Sequence, residues 1–304
     1  MTYTNLPIYI GQKNQSTIAG TVEETGAAIV AMNVSVDYPT QTNPKRLLGK
    51  SIDANDQFLF DGASEVGLSF TLLAHTSLPA SSEQTYAFLT DHKLGSATGT
   101  NFFPVRVGNN LFGKCFLDNF SINARPFEPV TIDVKMTSYD PPRNHTISGD
   151  NSLPDTAGGL EDLLDSNKLA YGHTVSVSNG DQVVSEKILS SISFSKTYSR
   201  RPIYKLGDVR ASEFFVDTVD SEMRIESTGL ERLIDHSGRK LTSDLTLSVK
   251  DYAGQQINPF GGGLGGAGLV RATMSAGSRV TAQNYGIQGG ETLIANATIR
   301  EVIV

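Results

Sequence analysis

The sequence predicts a mainly β fold, in which two β-sandwich or barrel-like domains follow each other in tandem duplication and each has one flanking α-helix. Two observations predict the strands: apolar and polar residues alternate over short segments such as 130–136, and glycine reaches 29 of 304 residues while long helix-forming runs are missing. Such alternation is typical of antiparallel strands with one buried face. A third observation predicts the duplication: Pro44 and Gly49 recur as Pro202 and Gly207, both at an offset of 158 residues.

The repeat continues on both sides of these four scaffold positions. Residues 34–36 precede the first Pro-to-Gly segment in the same apolar-polar-apolar order in which residues 192–194 precede the second. Val66 aligns with Met223 at an offset of 157, and the final hairpins of the two copies align at roughly 163. We therefore expect matching strands in the two copies, with the differences confined to turns and to the linker.

Each copy also contains one candidate helix, over 81–94 in the first and 228–236 in the second. The first begins with serines that can cap its free amides and ends before a glycine. We place the first domain at residues 1–140 and the second at residues 173–304. The segment 141–172 between them is rich in Pro and Gly and contains a short amphipathic stretch, which predicts a linker with a short helix.

Composition restricts the classes of function. A composition of 38% hydrophobic and 19% charged residues is typical of a globular protein. The net charge of −7 argues against a protein that binds nucleic acid, because phosphate affinity requires clustered Lys and Arg. Cys115 is the only cysteine, so no intramolecular disulfide can form. The chain begins without the basic and apolar regions of a signal peptide and contains no run of ~18 apolar residues. We therefore expect a protein folded in a cytoplasm, without a membrane anchor.

The sequence predicts no catalytic, cofactor or metal site, and we expect no enzymatic activity. Residues 263–268 satisfy G-x-G-x-x-G, but they neither leave a buried strand nor open a helix, as a dinucleotide site requires. Asp150, Asp155 and Asp162 lack the regular spacing of a calcium loop. The histidines lack the spacing of zinc ligands. They are His75, His92, His145, His173 and His236.

One basic and aromatic cluster remains, formed by Arg200, Arg201, Tyr198 and Tyr204. It is too small for a nucleic-acid surface, which needs a longer basic groove with stacked aromatic rings. We interpret Arg200, Arg201 and Tyr204 as part of a loop that contacts another subunit. Cys115 lies in an alternating segment and is expected to be a packed structural thiol.

The order of these elements resembles that of the tail tube proteins of long-tailed phages. The segments that carry the resemblance are 34–36 with Pro44 and Gly49, 192–194 with Pro202 and Gly207, and 113–122 with 129–134. Together the two copies cover most of the chain.

The resemblance implies a fold and an assembly. Each domain would be a β-sandwich with a flanking helix, and six domains would close a ring whose inner sheets join into one barrel. With two domains in a chain, homotrimers would form pseudo-hexameric rings, and stacked rings would enclose a channel for DNA. The implied partners are further copies of the chain and other tail proteins, while DNA passes without specific binding. The implied location is the tail of a virion assembled in the host cytoplasm.

Two alternatives stay open. A baseplate hub, distal tail or neck component can use the same doubled domain, and only its copy number per virion separates it from a tube protein. A carbohydrate- or receptor-binding β-protein would hold its ligand in loops. Such proteins usually expose aromatic residues, whereas this chain has no Trp and only 8% aromatic residues.

Overall fold

The computed structural model describes only part of the chain. The described residues are 6–10, 27–38, 44–46, 58–60, 65–74, 102–108, 110–140, 142–144, 175–179, 182–184, 189–206, 211–228, 240–249, 272–288 and 292–303. They form antiparallel strands and turns and contain no helix, so the mainly β fold is confirmed. The helices predicted at 81–94 and in the linker lie outside the described residues. Residues 229–236 of the other predicted helix also lie outside the described residues, and its first residue, Thr228, is the last residue of a strand.

The strands fall into two groups along the chain. The first half of the molecule has β1 (Leu6–Ile10), β2 (Ala27–Asp37), β3 (Pro44–Arg46), β4 (Phe58–Phe60), β5 (Val66–Leu73), β6 (Phe103–Val107), β7 (Asn110–Ala124), β8 (Thr131–Ser138) and β9 (Arg143–Asn144). The second half has β10 (Val175–Asn179), β11 (Gln182–Val184), β12 (Leu189–Tyr204), β13 (Ala211–Thr228), β14 (Leu245–Val249), β15 (Ala272–Met274), β16 (Arg279–Gln288) and β17 (Thr292–Ile303).

The first half closes into a barrel. Its strands pair in the order β7, β6, β1, β2, β5 and β8, and β8 pairs again with β7. The strands alternate between buried and less buried residues, as in β5 and β8, because one side of each strand faces the barrel interior. Closure gives every strand of the barrel a neighbour on each side over part of its length, so the barrel offers few free edges.

In the described part of the second half, the strands form two separate sheets instead of a closed barrel. One sheet has the order β11, β10, β14, β15, and the other has the order β12, β13, β17, β16. Apolar residues of both sheets belong to one buried cluster, as expected of a sandwich. They include Val175, Val177, Ile192, Met223, Ile225, Leu245, Leu247, Ala272, Met274, Ala297 and Ile299.

The two halves share one strand order. In the first half, β2, β1, β6, β7 form one side of the barrel and β2, β5, β8, β7 form the other. These orders correspond to β11, β10, β14, β15 and to β12, β13, β17, β16 in the second half. The difference is that β2 and β7 run through both sides, whereas their counterparts are each split in two. At the split between β15 and β16, Gly277 has a φ of +94°, which favours glycine.

The strand register also repeats. One row of cross-strand partners in the first half is Val36, Leu68, Met136, Leu117, and the matching row in the second half is Phe194, Met223, Ile299, Val280. A β-bulge follows Leu117 in β7 and Val280 in β16. The offset between these two residues is 163, the value expected for the final hairpins. The register aligns Met223 with Leu68 rather than with Val66, a shift of two residues that preserves the buried face.

One strand pair joins the halves. Residues 119–124 of β7 pair with residues 192–197 of β12. The same edge of β7 pairs with β6 at residues 110–115, nearer the start of the strand. A single antiparallel sheet therefore runs through β2, β5, β8, β7, β12, β13, β17 and β16, and we call it the shared sheet. Among the described residues, both of its ends have free edges, at residues 32–37 of β2 and along most of β16.

We predict that the repeated row is a main contributor to stability. Met223 is fully buried in it, so Met223→Ala should lower the free energy of unfolding by about 2–5 kcal/mol through lost contacts and a cavity. Arg224, the next residue, is exposed and serves as the control, since Arg224→Ala should change stability by less than about 1 kcal/mol. Urea unfolding of both variants tests this. Equal losses would contradict the assigned register.

Candidate functional site

One face of the shared sheet is polar. A row of partners on this face runs across most of its strands and consists of Ser35, Ser69, Lys135, Asn119, Thr197, Asp220 and Val302. Acidic residues slightly outnumber basic ones on it: Asp37, Asp133, Asp220, Glu222 and Glu226 stand against Lys135, Arg224, Arg279 and Arg300. The face is a hydroxyl-rich, mildly acidic surface.

Hydrogen bonds tie the strands of this face together. The Thr71 hydroxyl donates to Asp133 Oδ1 at 2.7 Å, and Asn123 Nδ2 donates to Asp133 Oδ2 at 3.0 Å. At the junction between the halves, Asn119 Nδ2 donates to the Thr197 hydroxyl at 2.7 Å. These hydrogen bonds link neighbouring strands of the sheet, and the bond from Asn119 to Thr197 reinforces the pairing of β7 with β12.

The hairpin of β12 and β13 extends beyond the junction and packs on the first half. We call residues 200–204 and 211–216 the arm. Phe214 of the arm contacts Phe116 of β7, with ring centroids 4.2 Å apart, and contacts Tyr139 at 4.9 Å. These rings are buried in a small cluster of their own. Aromatic packing of this kind contributes more than the burial of area alone.

Arg200 is the most buried charged group of the arm. Its side chain is only 1% exposed, and one guanidinium nitrogen lies 3.1 Å from Asp118 Oδ1. A second nitrogen donates to the Leu117 carbonyl at 3.1 Å, and the guanidinium lies 4.8 Å from the centroid of the Phe116 ring. Burial lowers the pKa of Arg200, while Asp118 acts to raise it. The cation is therefore held by a carboxylate, a carbonyl and a ring together.

The first half supplies a set of matching acceptors. The Thr137 hydroxyl donates to Asp118 Oδ2 at 2.5 Å, and burial nevertheless raises the pKa of Asp118. The Tyr204 hydroxyl of the arm donates to Glu65 Oε1 at 2.9 Å. Burial raises the pKa of Tyr139 to about 12. We call the receiving residues the arm site: they are Glu65, Phe116, Asp118, Thr137 and Tyr139.

The residues predicted as a loop between subunits lie in a strand. Arg200 and Tyr204 contact the first half of the same chain, whereas Arg201 is 70% exposed and pairs with Asp217 at 2.9 Å. A contact of Arg200, Arg201 and Tyr204 with another subunit stays a prediction.

The scaffold prolines begin equivalent segments. Pro44 pairs with Phe60 in the β3–β4 hairpin, as Pro202 pairs with Phe214 in the arm. Gly49 and Gly207 lie outside the described residues.

Sequence reasoning missed the arm site. Its signal lay in β7, where residues 111–117 are apolar at most positions instead of alternating, and only Lys114 is less buried. A strand of this kind is covered on both faces. The barrel interior covers one face of β7, and the arm covers the other.

A cavity of about 660 Å³ opens on the second half. It lies on β16 and β17 and on the turn before β16, and Arg279, Thr281, Arg300 and Val302 are among its lining residues. Val302 is 56% exposed and Ile303 is 39% exposed there. The cavity thus combines the two guanidinium groups with apolar groups and with one acidic residue, Glu301.

The other candidates give no chemical site. Cys115 is fully buried, and burial raises its pKa far above the usual range. The 263–268 glycine segment, the histidines and the three linker aspartates lie outside the described residues. Within the part of the chain that is described, no group of His, Cys, Asp or Glu is placed to hold a metal ion, and no helix could cross a membrane.

No protein-family model matches the chain, and no curated protein matches it at a significant level.

We predict that the arm depends on Asp118. Asp118→Asn removes the anion that faces a buried guanidinium, so it should lower the free energy of unfolding by about 3 kcal/mol. The control is Asp217→Asn, which removes the partner of the exposed Arg201 and should cost less than about 1 kcal/mol. Denaturant titration compares them. A small, equal effect would show that the arm does not need this ion pair.

We predict that Cys115 is unreactive in the folded protein. Its thiol is fully buried and its pKa is raised, so little thiolate forms at neutral pH. Ellman's reagent should modify it rapidly in denaturant and only at the rate of unfolding in buffer. Equal rates in both conditions would contradict the burial of β7.

Proposed function

We propose that this protein is a structural virion protein, the major tail tube subunit of a phage. Three copies form a pseudo-hexameric ring, and stacked rings enclose a channel through which DNA passes. The pairing of β7 with β12 carries the proposal, because within one chain it already joins the sheets of two related halves edge to edge. Repetition of this contact between chains extends the shared sheet around a ring.

The free edges support ring closure. The edge of β12 that pairs with β7 has its counterpart in β2, where residues 32–37 lack a second neighbour among the described strands. The edge of β7 that pairs with β12 has its counterpart in β16. Each chain therefore presents one edge of each kind, at opposite ends of the shared sheet. Such a head-to-tail contact closes into a ring when the rotation between copies permits it.

The polar face supports a role as the channel wall. Ser, Thr and Asn predominate on it, and acidic residues outnumber basic ones. A surface of this kind neither binds nor steers phosphate, since phosphate affinity requires clustered Lys and Arg. DNA can then move along the channel without being held.

The assembly state tests the proposal. We expect native mass spectrometry of purified protein to give three times the chain mass of 32.6 kDa, together with multiples of that trimer. Negative-stain images should show rings with a central channel and tubes of variable length. A hub or neck component would stop at a single ring. A strictly monomeric protein at every concentration and salt would overturn the proposal.

A further inference from the structure

The strand pair that joins the two halves has a defined register. Residues 192–197 of β12 lie opposite residues 119–124 of β7 in antiparallel order. The buried rings of Phe120 and Phe194 pack across this junction, with their centroids 5.9 Å apart. A contact between chains that repeats the junction should therefore repeat its register as well.

The free edge of β2 is the counterpart of the β12 edge at this junction. Val36 and Phe194 hold the same place in the repeated row, which sets an offset of 158 between β2 and β12. Residues 34–37 therefore correspond to residues 192–195. This edge of β2 is paired with β1 only as far as Ala31.

The free edge of β16 is the counterpart of the β7 edge. The offset of 163 holds beyond the bulge, because both strands skip one residue before pairing resumes at Asn119 and at Ala282. Residues 284–287 therefore correspond to residues 121–124. On this edge of β16, the isolated bridge at Arg279 occupies only the start of the strand, and no described strand pairs with the rest.

The transferred register also fits the residue types of the two edges. Apolar residues become partners of apolar residues, and small or polar residues become partners of small or polar ones. The four pairs are Val34 with Ile287, Ser35 with Gly286, Val36 with Tyr285 and Asp37 with Asn284. Val34 is buried and Ser35 is exposed, so a slip by one residue would place the buried face of β2 beside the polar face of β16. The pattern thus favours the register that the junction predicts.

We propose that residues 34–37 of one copy of this chain pair, in antiparallel order, with residues 284–287 of the next copy. The two edges lie at opposite ends of the shared sheet, with six strands between them, so the pairing joins different chains. Unpaired N–H and C=O groups on such edges are a template for another strand. The proposal deepens the ring assembly proposed above and rests on it, because the ring is what brings a β2 edge to a β16 edge.

Disulfide formation between two differently tagged, co-expressed chains tests the register. One chain carries Asp37→Cys and the other carries Asn284→Cys, and the purified protein is oxidised with glutathione disulfide. Directly opposed residues of antiparallel strands have Cα atoms about 4.5–5.5 Å apart, which a disulfide can bridge. We expect a covalent dimer that contains both tags.

The chain supplies matched controls. Ser121→Cys with Ser195→Cys on one chain is the equivalent pair of the junction and should form an intrachain disulfide. Asp37→Cys with Ala282→Cys should form none, because a displacement of two residues along the strand separates the positions by about 7–8 Å. The wild-type chain should also form none, since its Cys115 is buried. Circular dichroism checks that each variant folds.

Hydrogen exchange of the wild-type chain tests the two edges without any substitution. Backbone N–H groups of residues 34–37 and 284–287 that point away from the sheet should exchange at least about tenfold more slowly in the assembled protein than in the dilute chain. Residues 192–197 are the control, because their edge is already paired within one chain and their exchange should not change.

The outcomes separate this inference from the proposed function. Rings that form without the disulfide, while the control pair on one chain is oxidised, would overturn the register and leave the tube proposal standing. A disulfide in particles that never form rings would support the pairing and overturn the tube. A disulfide to position 282 in place of 284 would overturn the register, and unchanged exchange at both edges on assembly would overturn the pairing itself.

Discussion

The structure depends on the pairing capacity of strand β7. Along one edge it pairs first with β6 and then with β12, and along the other it pairs with β8. This one strand therefore closes the barrel of the first half and begins the sheet of the second. The β-bulge after Leu117 marks the point between these two partners. Bulges bend a strand and increase its twist, which allows β7 to leave β6 and meet β12.

The arm is held on the first half by buried polar contacts of Arg200. Burial of Arg200 costs desolvation energy, which its contacts with Asp118, the Leu117 carbonyl and the Phe116 ring offset. An apolar residue could pack at this position without the desolvation cost, but it could not form hydrogen bonds with Asp118 and the Leu117 carbonyl. Buried polar contacts favour a single arrangement over similar alternatives, and here they fix where the arm lies on the first half.

Much of the fold could be predicted from the sequence, because the physical signals are local. Alternation over residues 130–136 and its counterparts is imposed by the two faces of a strand, and the repeated prolines, Pro44 and Pro202, fall at equivalent positions of two hairpins. The arm site could not be predicted, because Asp118 and Arg200 are 82 residues apart and only the pairing of β7 with β12 brings them together. The alignment of Met223 with Val66 was wrong by two residues for a similar reason. Val66 and Leu68 lie on the same buried face of β5, so the apolar pattern fits both alignments, and only the hydrogen-bonded register distinguishes them.

The split at Gly277 has a mechanical consequence. In a closed barrel every strand is bonded on both sides, so a sideways load must break many hydrogen bonds together. Where β15 and β16 replace a continuous strand, the described parts of the two sheets of the second half are joined by the apolar cluster and by the backbone hydrogen bonds of Leu241 with Gly277 and Ser278. We therefore expect the second half to deform more readily under load than the closed barrel of the first.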